Sequence, residues 1–565
     1  MVEKLYEPLK QGDYKPFYRY MRKTKGISNT ITSMQCSNDS LTSNTKDITK
    51  ILNNYFQSVF TNSATLPDVP AVEKQDLVVT EEGVLGLLKS LKSGKAPGPD
   101  GLDKQKLCIA PEHVAPILAC IYNYSLKTGI LPLEWKLAYV TPIFKPGDRT
   151  SPTNYRPISL TSICCKLLEH IILHNLHLQL TDIFSVYQHG FRNHLSCTTR
   201  LACVAHDIYR NIDKRVSTHA VVLDFSEAFD MVPHHILVQK LINNNISPLI
   251  VRWISSFLEG RTQQVVLNGI KSQPVQVSSG VPQGSVLGPA LFTLFINDIT
   301  KCIKHCTIRL FADDTLLYTA VHSDVDMANM QSDLDKLYRW SIENGMKFNA
   351  LKSNVIAFGG KLDEPSPKYH LNGQLLASVQ SVKYLGVYLS YDMKWGCHID
   401  YAANKALRVL GLIKHVLYDA PEKVRLLAYV TLCRPLLEYA CEIWDPTTQF
   451  LITRLEDVQS KAIRYIKNLR GRSVSITDSR VLLGLDTLQA IRKNKRIILF
   501  HTVLEHESFF PGLLNTLDQM RANHVFNTRH SSTFNSIVCN TNTFLHSFLI
   551  RTAHYLRIGE NAVDC

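Results

Sequence analysis

The sequence predicts an α+β catalytic body followed by an all-α region, and three observations carry that reading. Short apolar runs rich in β-branched residues, such as Ala220–Leu223 and Cys306–Leu310, alternate with helical stretches to about Tyr391. Past that point periodic apolar helices dominate, over Ala403–Leu417, Glu422–Tyr439 and Leu451–Leu469. The acids Asp224, Asp313 and Asp314 fall at the ends of the strand-like runs, where a sheet can present them together.

Composition sets bounds. The chain has 565 residues, 45% of them hydrophobic, enough for several domains and a sizeable core. Lys and Arg number 62 against 49 Asp and Glu, a net charge of +13, which favours a polyanionic partner, nucleic acid before a membrane surface. The 14 Cys show no regular pairing and Met1–Tyr20 is polar, so free thiols in a reducing compartment are expected. The longest apolar runs, such as Pro289–Ile296, are too short to span a bilayer. An intracellular soluble protein with no membrane partner is the expectation.

In chain order, residues 1–75 are polar, Ser/Thr/Asn-rich from Ser28 to Thr49, and read as a flexible lead-in. Glu81–Leu91 reads as a helix, followed by the Lys/Gly/Pro loop Lys89–Asp103. Ala220–Phe225 is a buried strand that ends in Asp224. Ser279–Pro289 (SGVPQGSVLGP) is a tight loop, and Pro289 opens a helix with the apolar face Leu291, Phe292, Phe295, Ile296 and Ile299. Cys306–Leu310 and Thr315–Tyr318 read as a hairpin with Phe311-Ala312-Asp313-Asp314 at its tip.

Adjacent carboxylates repel, so Asp313 and Asp314 cost stability unless a cation neutralises them. Alone, the pair also fits an ordinary solvated turn. Asp224 supplies a third acid from a separate element, the number that two metals spanning an attacking hydroxyl and a leaving phosphate require. Hard oxygen donors suit Mg²⁺. Two other metal readings fail. His170, His174 and His177 share a helix face without a Glu or Cys partner, and Cys302 and Cys306 flank His305 with no second Cys pair.

The ordered motifs resemble those of reverse transcriptases from non-LTR, LINE-type retrotransposons of the jockey kind, over roughly residues 45 to 535. Asp224–Asp230 (DFSEAFD) looks like their first aspartate motif and Phe311–Asp314 like their second. The resemblance implies a right-hand fold, with fingers, a palm with an antiparallel sheet, and a helical thumb. It assigns Phe229 as a steric gate against a ribose 2′-OH, where RNA-dependent RNA polymerases place a second Asp. Lys145 and Arg156, in Pro142–Asp148 and Asn154–Ser159, would hold the triphosphate, and Gln283 would contact the incoming nucleotide and template. Arg192 in Gln188–Arg192 would touch a template phosphate. Lys352 is the implied proton donor to pyrophosphate, and Tyr384 and Gly386 lie in an implied primer grip. Lys461, Arg464, Lys467 and Arg470 recur every third residue as a basic stripe that could track a phosphate backbone, with Arg492, Lys493, Lys495 and Arg496 as a second cluster.

The implied organisation is a lead-in over 1–75, a helical extension of the fingers over 76–125, and a reverse transcriptase domain over 126–390. A thumb over 391–500 and a divergent tail over 501–565 complete it. The implied activity is RNA-directed DNA polymerisation with two Mg²⁺, Mn²⁺ being an alternative, on an RNA template, a DNA primer or target DNA, and dNTPs. The alternative is a catalytically inactive RNA-binding relic. The apurinic-type endonuclease usual in such proteins has no counterpart here, so a fragment of a longer element protein is expected. The natural template and oligomeric state are not legible.

Overall fold

In a computed structural model of the chain, the described residues are 6–25, 31–36, 39–61, 64–72, 77–92, 94, 96–180, 183–360, 367–469, 475–521 and 534–562. Two sheets frame the site, built from β1 (Leu137–Phe144), β2 (Tyr155–Leu160), β3 (Ser217–Leu223), β4 (Thr262–Leu267), β5 (Thr307–Phe311), β6 (Asp314–Val321) and β7 (Asn354–Phe358). The central sheet runs in the order Ala377–Ser378, β7, β3, β6, β5. In it β3 is antiparallel to both neighbours and β5–β6 is a hairpin. The first sheet pairs β2 with β1 antiparallel and β1 with β4 parallel. This is the expected α+β architecture with an antiparallel-rich central sheet.

Strand β3 reads as a continuous apolar run because both of its faces are covered. Ala220, Leu316 and Ile356 enter one core with the helix Cys197–Asp213 and the C-terminal helices. Val221, Leu223, Leu317 and Val355 enter a second core with the helices Gly288–Ile296 and Asp324–Glu343. Each such Val, Leu or Ile side chain, fully buried, contributes roughly 1.5–3 kcal/mol.

The lead-in is more ordered than its composition suggests. Thr45–Ser58 is a helix whose N-cap Asn44 accepts from Lys46 N–H, and Ile48, Leu52 and Phe56 repeat every four residues along it. That stripe closes a third core against Val140 and Tyr155 of the first sheet and Val265 of β4. Polar residues between the stripe positions hide the helix from a composition-based reading.

Helical hydrogen bonding is continuous at two expected division points and interrupted within one expected helix. Leu488–Glu505 and Pro111–Thr128 run unbroken across the division points at 500/501 and 125/126. Conversely, the helix expected over Glu422–Tyr439 breaks. After Glu422–Ala428 it widens over Tyr429–Cys433, where Arg434 N–H donates to Tyr429 O, and Pro435 opens a separate turn. The C-terminal segment packs onto the body, since Asp213 accepts from the backbone N–H groups of Asn540 at 2.8 Å and Thr541 at 2.7 Å. Among the described residues no helix is long and apolar enough to cross a membrane.

Candidate active site

Antiparallel register assembles the acids. Leu223 pairs with Thr315, so the next residue out on each strand sets Asp224 beside Asp314. The β5–β6 hairpin pairs Phe311 with Asp314, leaving Ala312 and Asp313 as its two-residue turn. Asp224 is held from the other side as well: its carbonyl accepts from Asn349 N–H at 2.7 Å and its N–H donates to Ser353 Oγ at 3.2 Å. Stacking of Phe225 on Phe348, with ring centroids 4.1 Å apart, locks the same corner.

Asp224 and Asp313 line a cleft of 630 Å³, with Asp314 on the adjoining strand end. Lys145, Arg156, Phe229, Gln283 and Lys352 line the same cleft, so most of the sequence-assigned residues converge on one space. Burial raises the Asp313 carboxyl above its ordinary value, and Asp224 pushes it further. Asp314 is pushed up to about 6 by burial and then by Asp313 and Asp224. Burial also raises Asp224, with Glu227 adding to the rise while Lys352, Lys145 and Arg156 oppose it. Mutual repulsion of this kind makes the trio a place where a cation is stabilising. Among the described residues no group of three or more His, Cys, Asp or Glu side chains converges tightly enough to hold a metal ion as placed. The donor set, all carboxylate oxygen, fits a hard divalent cation in chemistry, and the backbone brings the acids to one sheet end.

Lys145 is engaged by Glu227, its Nζ donating at 2.8 and 3.1 Å to the two carboxylate oxygens. Gln283 is engaged too: Nε2 donates to Asp230 Oδ2 at 2.7 Å, and its carbonyl accepts from Ser159 N–H at 2.8 Å. Gly284 allows that approach, because a Cβ there, at φ +125°, would lie 2.5 Å from Ser159 O. Asp230 is raised to about 7, by burial first and by Glu227 second. Phe229 stacks on Phe292 at 4.5 Å and 13°, which presents its ring edge-on to Phe191 and fixes it at the cleft wall.

Sequence reasoning missed the cleft residues Glu227 and Tyr55 and the Asp230 carboxylate that holds Gln283 behind the wall. Glu227 and Asp230 lie inside the DFSEAFD segment, so their acidity beside a candidate site was the available signal. Tyr55 had none. It reaches the cleft from the helix Thr45–Ser58, and burial, then Glu227 and Asp230, push its phenol up to about 12.

Other assigned residues stand elsewhere. Tyr384 is only 1% exposed, its ring in the core that holds Val387 and Leu389, so its side chain cannot meet a primer. Gly386 follows Leu385 in the turn of the ribbon Ser381–Tyr384 and Val387–Ser390, both at positive φ. The aromatic exposed at that turn is Tyr439, 43% accessible, whose hydroxyl donates to Leu385 O at 2.8 Å. Arg192 is less available than its motif position suggests: Nη1 donates to Ser185 O and Gln188 O, and the guanidinium lies over the Phe184 and Phe509 rings. Lys461 and Arg464 are exposed on the helix Gln449–Ile466 and do not line the cleft, Lys467 pairs with Glu422 at 2.9 Å, and Arg470 lies outside the described residues. The second basic cluster is corrected. Arg492 and Arg496 are buried and both pair with Asp445, at 2.8 and 2.6 Å, because at i and i+4 they share the inward face of their helix.

Residues 143–389 match the family described as Reverse transcriptase (RNA-dependent DNA polymerase). Among curated proteins the chain is similar to the RNA-directed DNA polymerase from mobile element jockey of Drosophila melanogaster, 30% identical over 408 residues, 69% of this chain and 44% of that protein. It is likewise similar to the probable RNA-directed DNA polymerase from transposon BS of the same species, 29% identical over 68% of this chain and 44% of the relative. The probable RNA-directed DNA polymerase from transposon X-element is 27% identical over 80% of this chain and 50% of the relative. The chain thus spans about half the length of the curated relatives it matches.

Proposed function

We propose, from the premise that residues 143–389 of this chain belong to the reverse transcriptase family, that it is an RNA-directed DNA polymerase extending a primer 3′-OH with dNTPs. One observation carries the reading: the β3–β6 register sets Asp224 beside the Asp313–Asp314 turn, at a cleft that also collects Lys145, Arg156, Phe229, Gln283 and Lys352. Phosphoryl transfer needs that combination of clustered carboxylates and cationic side chains, since its catalysis is positioning and charge stabilisation.

Asp224, Asp313 and Asp314 would hold divalent ions, Mg²⁺ or Mn²⁺, which when bound activate a hydroxyl and offset charge on a phosphate. Lys145 must exchange Glu227 for the triphosphate, and Arg156 offers a forked, bidentate grip on the same group. Phe229 closes the wall where a 2′-OH would project. Gln283, oriented by Asp230, faces the base and template. Lys352, which lines the cleft with Asp224, would donate a proton to the leaving pyrophosphate. The exposed Lys461 and Arg464 and the corner around Gly386 and Tyr439 are the surfaces on which a template–primer duplex would rest.

The test is primer extension on a homopolymer RNA template with purified full chain, alongside Asp313→Asn. Template-dependent dNTP incorporation that Asp313→Asn abolishes is the expected result. Equal signals from the two proteins would leave the chain an RNA-binding relic.

A further inference from the structure

The turn that carries Asp313 is held in an unusual way. Ala312, its first residue, sits at φ +55° and is buried at 4% exposure. L residues rarely adopt that backbone, and it persists only where the surroundings dictate it. The surrounding that does so is one side chain. Gln188 is fully buried, and its Oε1 accepts from Ala312 N–H at 3.0 Å and from Gly190 N–H at 2.7 Å, while its Nε2 faces Ala312 O at 3.4 Å. The amide therefore acts as a substitute peptide, giving the turn the ladder partner that the hairpin lacks at its tip.

Gln188 is itself fixed. Leu310 N–H donates to Tyr187 O at 2.8 Å and His189 N–H to Leu310 O at 3.1 Å, which binds this segment to the strand that enters the turn. The approach is close enough to exclude water, since a Cβ on Gly190 would lie 2.3 Å from Ala312 N. Orientation of the Ala312 peptide decides where the next residue, Asp313, projects its carboxylate.

We propose that Gln188 is a positioning residue that sets the Ala312–Asp313 turn so that its carboxylate can join Asp224 and Asp314 in holding a divalent cation. The inference rests on the polymerase reading of the Asp224, Asp313 and Asp314 site. Gln188 touches no substrate and acts only through the turn.

The test uses Gln188→Met, which keeps length and volume and deletes the hydrogen bonds. Mn²⁺ binding to the full chain is measured by electron paramagnetic resonance, with thermal unfolding in parallel and the Asp313→Asn, Asp314→Asn double variant as the site control. A cooperatively folded Gln188→Met protein should bind Mn²⁺ about 10-fold more weakly than the parent, the scale on which partners of ligating carboxylates act. If that variant does not fold, Gln188→Glu carries the test, because an ionised carboxylate keeps an acceptor for the N–H groups but loses the donor to Ala312 O and sets an oxygen against it. Its Mn²⁺ affinity should then also fall below the parent's in a cooperatively folded protein. Parent-like affinity in the folded variant, Gln188→Met or otherwise Gln188→Glu, overturns the proposal alone. A parent that binds no more Mn²⁺ than the double variant overturns the site reading and this inference with it.

Discussion

Phe229 and Asp230 are neighbours with opposite demands. Phe229 is packed by Phe292 on one side and open to the cleft on the other, so shortening it opens space where a ribose hydroxyl would sit. Phe229→Ala should lower discrimination against ribonucleotides by up to about 100-fold, read as the ratio of kcat/KM for dNTP and rNTP. Unchanged sugar selectivity would remove the gate assignment. Asp230 binds its proton more tightly folded, at about 7, than its ordinary value of 3.8. Between those values the folded state holds more protons than the unfolded, so this group's contribution to stability falls as pH rises through the window. Asp230→Asn keeps an acceptor for Gln283 and removes the titration. It should raise the thermal midpoint relative to the parent at pH near 8 and leave it little changed near 4, as paired melts would read.

At the scale of elements, helices and strands are joined by buried charge as well as by apolar packing. Asp445 accepts from Arg492 and Arg496 of one helix and from Arg551 of another, at 2.8, 2.6 and 3.1 Å. Removing one side of such a group leaves buried cations uncompensated, so Asp445→Ala should destabilise the chain by about 3–5 kcal/mol in denaturant unfolding. A loss below 1 kcal/mol, the ordinary range for an exposed pair, would restore these arginines to a solvated surface role. The helix Thr45–Ser58 makes a parallel case. Leu52 is fully buried against the first sheet, and Leu52→Ala should cost about 2–5 kcal/mol, whereas a frayed lead-in would lose almost nothing.

For the whole molecule, the excess of 62 Lys and Arg over 49 Asp and Glu is a long-range property that individual burials modify. Some of that charge is internal, as Arg200, Arg261 and Arg492 demonstrate, each 1% exposed or less, so the surface must be judged residue by residue. Exposed Lys461 and Arg464 remain available to phosphates. RNA affinity should fall by at least about 10-fold between about 50 and about 200 mM salt through counterion release, measurable by fluorescence anisotropy. A salt-independent affinity would remove the electrostatic account of template binding.

The local signals were strong where chemistry and secondary structure coincide. β-branched runs ending in acids, the hairpin around Asp313 and Asp314, and the loop of Gln283 were legible in the sequence because each depends on neighbours a few residues away. Register then turned Asp224 from a separate acid into a partner of Asp314. What the sequence left undecided depends on contacts between distant segments. Tyr55 enters the cleft because the helix Thr45–Ser58 packs on the first sheet, and Tyr384 withdraws because its strand turns that side chain into the core while Tyr439 takes the exposed corner. Likewise, Gln188 reaches the Ala312–Asp313 turn across 124 positions of chain. The sequence by itself determined which chemical groups were present and which local elements carried them. Tertiary structure alone decided which of those groups met, because burial and hydrogen-bond partnership are set by the packing of elements far apart in the chain.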